Sequence, residues 1–187
     1  MRSFFATTVG IIVFFLLGVA AIFAALYGTQ KAYLWYLYQK YPLTYKYDIT
    51  YYATQHSIDP PLLAAVIYEE SRFNTNSRSL KGALGLMQII PETATYIAEK
   101  IEEEAPSEDA LLDPSTNIRY GAYYLAYLLQ HYDRVEYALA AYNAGEGNVA
   151  LWLAEKEYRI PFEETKQFVA RVLATREQYA SLYTFTP

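Results

Sequence analysis

One carboxylate in this chain stands where a helix should be apolar. Residues 59–73 read Asp-Pro-Pro-Leu-Leu-Ala-Ala-Val-Ile-Tyr-Glu-Glu-Ser-Arg-Phe. Asp59 suits an N-cap and Pro60 a first-turn position, so the spacing predicts a helix from about residue 60. At about 100° per residue, Leu62, Leu63, Val66 and Ile67 mark one apolar stripe. Glu70 falls near the centre of that stripe and Glu69 on its flank. Burying a carboxyl raises its pKa, and a raised pKa is what a general acid working near neutral pH needs. The same placement fits a partly buried glutamate paired with an Arg or Lys, and on this helix alone the ion pair is favoured.

Two other stretches are too apolar or too rich in glycine for ordinary loops. Lys81-Gly-Ala-Leu-Gly-Leu-Met-Gln-Ile-Ile-Pro91 holds two glycines and a single amide, Gln88, in an apolar run. Glycine there permits close backbone approach or positive φ. Composition alone slightly favours a buried loop in which Gln88 bonds to backbone. Ala140-Ala-Tyr-Asn-Ala-Gly-Glu-Gly-Asn148 reads as a small-residue helix whose last turn projects Tyr142 and Asn143, or as plain C-capping by Gly145.

The elements that must position these stretches read as helical almost throughout. A short amphipathic segment covers 48–57 and the Glu70 helix follows. A glycine-punctuated loop spans 74–85, and Pro91-Glu92-Thr93 opens a helix to about Glu104 whose end, Glu102–Glu104, is expected to be solvated. A loop at 105–116 with Pro106 and Pro114 precedes a long helix, 117–132. Asp133 and Glu136 resemble a capping box for a helix at 134–143, which Gly145 and Gly147 end. Short turns at 148–156 and a helix at 162–183 finish the chain. No strand alternation or internal repeat is visible, so the expected fold is all-α, a helical domain over 48–187.

From Phe4 to Tyr27 no residue is charged, a run of 24 that is long enough to span a bilayer. It continues past Ala20-Ala21 and Ala24-Ala25 without a polar stretch, which favours an uncleaved anchor over 1–30; the alternative is secretion after signal cleavage. Residues 31–47 mix Trp35 and many tyrosines with Lys31, Lys40 and Lys46, as at a membrane–water interface. Lysines lie on the C-terminal side of the run, so the positive-inside rule does not favour an external domain. The external placement expected here depends on the function below.

The net charge of −5 and acidic pI argue against a nucleic-acid partner. With no cysteine, disulfides, thiol catalysis and Cys-ligated zinc are excluded. His56 and His131 are the only histidines, far apart in sequence, and each reads as a surface residue. No metal site and no cofactor is expected. The 21 tyrosines would serve a sugar-binding groove, but many must be core or interfacial.

Taken together, Glu70-Ser71, Gly85-Leu86-Met87-Gln88 and Ala141-Tyr142-Asn143-Ala144-Gly145, in that order and spacing, resemble the catalytic domain of the family 1 lytic transglycosylases. This is the soluble-lytic-transglycosylase type, related to goose-type lysozyme. The resemblance covers about 45–184. Asn74, Ser79, Pro91-Glu92-Thr93-Ala94, Asp113-Pro114 with Asn117-Ile118, Ile160-Pro161-Phe162 and Glu164-Thr165 support it. It implies a lysozyme-like helical fold with a groove for peptidoglycan glycan strands, in a bacterial membrane protein whose catalytic domain lies outside the cytoplasm. It implies cleavage of the β-1,4 bond between N-acetylmuramic acid and N-acetylglucosamine, with a 1,6-anhydromuramoyl product. By resemblance Glu70 is the single acid/base. Ser71, Met87, Gln88, Tyr142, Asn143 and Ala144 are implied as substrate-binding residues, Tyr142 near the acid and Ser71 shaping its setting.

Two departures stand out. Glu164-Thr165-Lys166-Gln167-Phe168 replaces the family's usual Glu-Thr-Arg-x-Tyr, losing a guanidinium fork and a phenol. Ile90 stands where many relatives have Met. Both are read as tuning. The alternatives are a goose-type hydrolase, which needs a second carboxylate such as Glu69 or the remoter Glu146, and a non-catalytic membrane-anchored glycan-binding module. Glu69 is expected to tolerate mutation.

Overall fold

The computed structural model describes residues 2–155 and 159–186, with side chains from Val13 onward. Lys156, the end of the expected 148–156 turns, and Pro187, the end of the expected helical domain, lie outside them. Among the described residues there are nine helices and no strand, as the pattern predicts. The chain forms two compact units that meet at Pro42–Leu43, ahead of the expected boundary at 48.

The first unit is one helix, α1 (Arg2–Lys40). At about 1.5 Å per residue it is longer than the roughly 30 Å hydrocarbon core of a bilayer. The expected anchor over 1–30 and most of the tyrosine-rich 31–47 stretch form this one helix, which runs to Lys40. Its described apolar part is exposed, including Phe14, Phe15, Ile22 and Phe23, and it is long and apolar enough to cross a membrane.

The second unit contains α2 (Lys46–Gln55), α3 (Pro60–Ser71), α4 (Pro91–Lys100), α5 (Glu108–Leu111), α6 (Pro114–His131), α7 (Val135–Ala144), α8 (Glu146–Ala154) and α9 (Glu163–Leu182). Its centre is α3. Leu63, Ala64, Ala65, Val66 and Ile67 have no exposed surface, so the middle of the helix is buried on every side and has no solvent face. Each large apolar side chain buried this way contributes about 1.5–3 kcal/mol. Along one side α3 packs on α9, where Phe168, Val169, Val172, Thr175 and Tyr179 are buried. Phe168, in place of the family phenol, is thus a core residue.

The helix boundaries have local causes. Pro60 and Pro114 occupy first-turn positions, and Asp113 Oδ1 accepts from the Thr116 amide at 2.9 Å. Asp59 does not cap α3; its carboxylate accepts from Arg176 of α9. The expected Asp133–Glu136 capping box does not form either: Arg134 is the N-cap residue of α7, and it pairs with Glu136. Helix α4 ends at Lys100, short of Glu104, because the chain turns with Glu102 at φ 55° and Glu103 forks onto Arg119 with two bonds of 2.7 Å. Part of the expected 105–116 loop is the one-turn α5, capped by Ser107.

α3 stops abruptly. Arg72 and Phe73 both take left-handed backbone, φ 53° and 62°, which costs about 1 kcal/mol or more at each non-glycine residue. The turn is held by Arg72, whose guanidinium lies 3.8 Å over the Tyr68 ring and pairs with Glu69. That stop places the last turn of α3 at the edge of the core.

Candidate active site

Three segments meet at that edge. The last turn of α3 brings Glu69, Glu70 and Ser71, the 74–90 loop brings Met87 and Gln88, and the last turn of α7 brings Tyr142, Asn143 and Ala144. Direct bonds join them. Ser71 Oγ donates to the Leu86 carbonyl at 2.7 Å, and Tyr142 Oη donates to the Met87 carbonyl at 2.7 Å. Thr165 Oγ1 of α9 donates to Asn143 Oδ1 at 2.9 Å.

The loop itself is pinned from behind by Asn117 of α6, which has no exposed surface. Its Oδ1 accepts from the Met87 amide at 2.7 Å, and its Nδ2 donates to the Leu84 and Leu111 carbonyls at 2.9 and 2.7 Å. Gly85, at φ 75°, leaves room for that amide, and Gly121 leaves room for the Met87 side chain.

A cleft of about 810 Å³ opens over these segments. Glu70, Gln88, Ile90, Tyr142, Asn143 and Ala144 line it, with Glu163, Glu164 and Thr165 from α9 on another wall. A cleft of this size falls within the usual range of ligand-binding sites. Of the residues picked from the sequence, Glu70, Gln88, Tyr142, Asn143 and Ala144 reach it. Ser71 and Met87 do not line it: both are buried, the hydroxyl committed to backbone carbonyls and the thioether packed in the core. They shape the cleft from beneath. Gln88, with left-handed backbone at φ 49°, donates its amide nitrogen to the Gly85 and Ser77 carbonyls at 2.9 and 3.2 Å. That fixes the side chain with its carbonyl oxygen left for a ligand.

Glu70 is partly buried and has no hydrogen bond or ion pair among the described residues. Its pKa is pushed up to about 8, first by burial and then by the neighbouring Glu69 charge, against the pull of Arg171. The same surroundings push the Tyr142 phenol well above its ordinary value, through burial and the nearby Glu70. Glu70 can therefore hold a proton at neutral pH and give it up to a bound group, which Tyr142 cannot.

Glu69 is the ion-paired carboxylate that the sequence left as an alternative for Glu70. Its side chain is only 3% exposed and bonds Arg171 Nε at 3.1 Å, Arg72 Nη2 at 3.2 Å and Thr175 Oγ1 at 2.7 Å. It faces α9, away from the cleft lining, so it offers no second carboxylate there. Nor is it a partnerless flank residue, as its place on the stripe suggested: its loss would leave the buried Thr175 hydroxyl without its acceptor and would break its pairs with two half-exposed guanidinium groups. Glu146 also lies elsewhere, accepting from Tyr127 at 3.0 Å and Tyr124 at 3.4 Å beside a separate pocket with Glu92 and Tyr96. The carboxylate that sequence reasoning missed is Glu164, exposed on the cleft wall without a partner among the described residues. Its signal was the Glu164-Thr165 pair, of which Thr165 fastens Asn143.

His56 packs edge-on against Tyr123, and exposed His131 stacks with Tyr127. Neither lines the cleft. Among the described residues no group of three or more His, Asp or Glu side chains is arranged to hold a metal ion.

Known proteins share this fold. The family described as "Transglycosylase SLT domain" matches residues 48–163. The soluble lytic murein transglycosylase of Salmonella typhimurium is 37% identical over 161 residues, which cover 78% of this chain and 24% of that protein. A membrane-bound lytic murein transglycosylase F of Pseudomonas fluorescens is 40% identical over 114 residues, 56% of this chain and 22% of the relative. Among solved structures, an inactive Glu-to-Gln mutant of the lytic transglycosylase Slt of Pseudomonas aeruginosa superposes with a TM-score of 0.72 at 32% identity, covering 78% of this chain and 25% of the other. The chain spans about a quarter of the length of these relatives. The match in family and fold establishes that the chain belongs to the transglycosylase SLT domain family.

Proposed function

We propose that this protein is a peptidoglycan lytic transglycosylase that cuts the β-1,4 bond between N-acetylmuramic acid and N-acetylglucosamine. The observation that carries the reading is Glu70: a carboxyl on the cleft, unpaired among the described residues, with its pKa pushed up to about 8. That the Pseudomonas aeruginosa relative is inactive as a Glu-to-Gln mutant supports a glutamate in this role.

Protonated Glu70 gives its proton to the glycosidic oxygen as the bond to the muramoyl C1 breaks. The muramoyl N-acetyl oxygen bonds to C1 and takes up the developing charge, so no second protein carboxylate is needed. The glutamate, now ionised, takes the proton from the C6 hydroxyl as O6 bonds to C1, expelling the acetamido oxygen and closing the 1,6-anhydro ring. Proton and electron pair return to their starting places and no water is consumed. Gln88, Asn143 and Ala144 supply the polar wall that orients sugar and N-acetyl groups, and Ser71 and Met87 hold that wall in place.

Helix α1 anchors the domain in a bacterial membrane as a single pass, with the 43–187 unit outside the cytoplasm where the substrate lies. The chain lacks cysteine, so a single cysteine introduced at exposed Thr54 tests this directly. Intact cells should label it with a membrane-impermeant maleimide, and labelling only after lysis would place the domain inside.

Digestion of purified glycan strands, with the products weighed, tests the activity. Wild type should release 1,6-anhydro ends and Glu70→Gln should release none. The exposed Glu164 carboxylate on the cleft wall is the observation that favours a second reading, hydrolysis through a water-activating base. Reducing ends in place of anhydro ends would establish it. Glycan binding without cutting by wild type would make the protein a binding module.

A further inference from the structure

The proposed chemistry leaves one buried charged group unused. Glu69 and Glu70 are adjacent in sequence and lie about 100° apart around α3, so they face different neighbours. Glu69 accepts from three donors on two helices, Arg72 at the end of α3 and Arg171 and Thr175 of α9. Glu70 accepts from none among the described residues. The groups whose charges act on Glu70 are Glu69 from its own helix and Arg171 from α9, while Tyr142 of α7 stands beside it. Lys81 of the 74–90 loop and Glu163 and Glu164 of α9 line the same cleft.

Arg171 is the cation that opposes a proton on Glu70. A guanidinium is always charged and seeks a carboxylate fork, so its orientation decides which of the two neighbouring glutamates it serves. Here its Nε is engaged by Glu69 Oε2 at 3.1 Å, and Arg72 is turned to the same carboxylate. We propose that Glu69 is a positioning residue for the acid: it draws Arg171 onto itself and sets a negative charge beside Glu70, so that Glu70 stays unpaired and keeps its proton until substrate arrives. The proposal rests on the reading of Glu70 as the acid.

The test is the pH dependence of kcat/KM for glycan cleavage by the full chain in detergent, alongside thermal melting. Glu69→Gln removes the neighbouring negative charge and leaves Arg171 unneutralised, and both changes favour ionised Glu70. The alkaline limb should therefore move to lower pH by about one unit or more. Arg171→Gln removes the opposing cation and should move the limb the other way. The double variant should return it towards the wild-type position. Thr175→Val removes a hydrogen bond to Glu69 without changing charge, and should lower the melting midpoint while leaving the limb in place. Should Glu69→Gln fail to fold, Arg171→Gln, at a half-exposed side chain, carries the test alone. A limb that stays put in Glu69→Gln or Arg171→Gln, or that moves the same way in both, overturns the proposal and leaves Glu69 a structural ion pair. Glu70→Gln in the same series separates the two readings: if it still cuts, the acid assignment has failed; if it is inert and the limbs do not move, only the role of Glu69 has.

Discussion

Tyr142 donates its phenolic hydrogen to the Met87 carbonyl at 2.7 Å, and not to the Glu70 carboxyl whose charge it senses. The bond couples the last turn of α7 to the loop that brings Gln88 to the same cleft. It also leaves Glu70 without a hydrogen-bond donor, which keeps the carboxyl's preference for the protonated form. Tyr142 thus acts on the acid by what it withholds as well as by where it stands.

Tyr142→Phe should leave the Met87 carbonyl unpaired while keeping the ring. We expect a loss of about 1–3 kcal/mol in stability, read as a lower melting midpoint. Turnover at saturating glycan should fall roughly 10- to 100-fold, since a small displacement of a positioned wall is enough for that. An unchanged midpoint would mean that the bond contributes nothing to holding the wall.

The raised pKa of Glu70 predicts where activity ends on the alkaline side. The first step needs the protonated acid, so kcat/KM should hold through neutral pH and fall by half near pH 8. A fall centred near pH 5 would describe an ordinary exposed glutamate and remove the basis of the assignment.

The same raised pKa predicts a stability cost. Folded Glu70 holds its proton up to about pH 8, whereas the unfolded chain releases it near the ordinary glutamate value of 4.5. Folding therefore binds a proton between those limits, and the stability linked to it is fully present below pH 4.5 and lost as pH rises to 8. Glu70→Gln, uncharged throughout, escapes the loss. Urea unfolding at pH 5 and pH 9 should show the variant gaining on wild type by a few kcal/mol, since each tenfold change in proton affinity is worth about 1.4 kcal/mol. No gain would mean that the carboxyl is well solvated when ionised.

Much of this site was legible because it is local. Glu70-Ser71, Met87-Gln88 and Tyr142-Asn143 each sit at a helix end or a tight turn, where short-range chemistry sets the backbone. The stripe argument pointed to Glu70 for an incomplete reason. α3 is buried along its middle turns, so its faces differ by neighbour more than by solvent, and the carboxylate that is ion-paired is Glu69. Arg171 and Thr175 lie about a hundred residues further along the chain, and no periodicity within α3 can report a partner at that distance. The missing cap at Asp59 has the same origin: its carboxylate is taken by Arg176 of α9, a charged donor more than a hundred residues away.

Glu164 tests whether the cleft holds one carboxylate that does chemistry or two. As a wall residue accepting sugar hydroxyls, its replacement by Gln should raise KM about tenfold, leave kcat within a few-fold and keep the product anhydro. Loss of turnover with KM unchanged would instead mark it as a base, and the products of wild type should then carry reducing ends.

Gly85 and Asn117 offer a test of how the loop is held. Asn117→Ala orphans the Met87 amide and the Leu111 carbonyl, both in the core, and takes one of two donors from the Leu84 carbonyl, which keeps the Ile89 amide; it should cost about 3 kcal/mol. Gly85→Ala puts a Cβ into the Asn117 amide and 2.7 Å from the Leu111 carbonyl oxygen, at a φ of 75° that Ala adopts only with strain. Two independent losses would add. Here the methyl introduced at Gly85 would enter the space that the Asn117 amide vacates, so the double variant should be less destabilised than the sum by about 1 kcal/mol, the remainder being the unrelieved backbone strain and the orphaned groups. A urea double-mutant cycle measures that coupling. Because Gln88 and the Met87 carbonyl ride on the same loop, all three variants should also lose more glycan-cutting activity than their folded fractions explain. Full activity per folded molecule would show that the cleft wall does not depend on the Asn117 anchor.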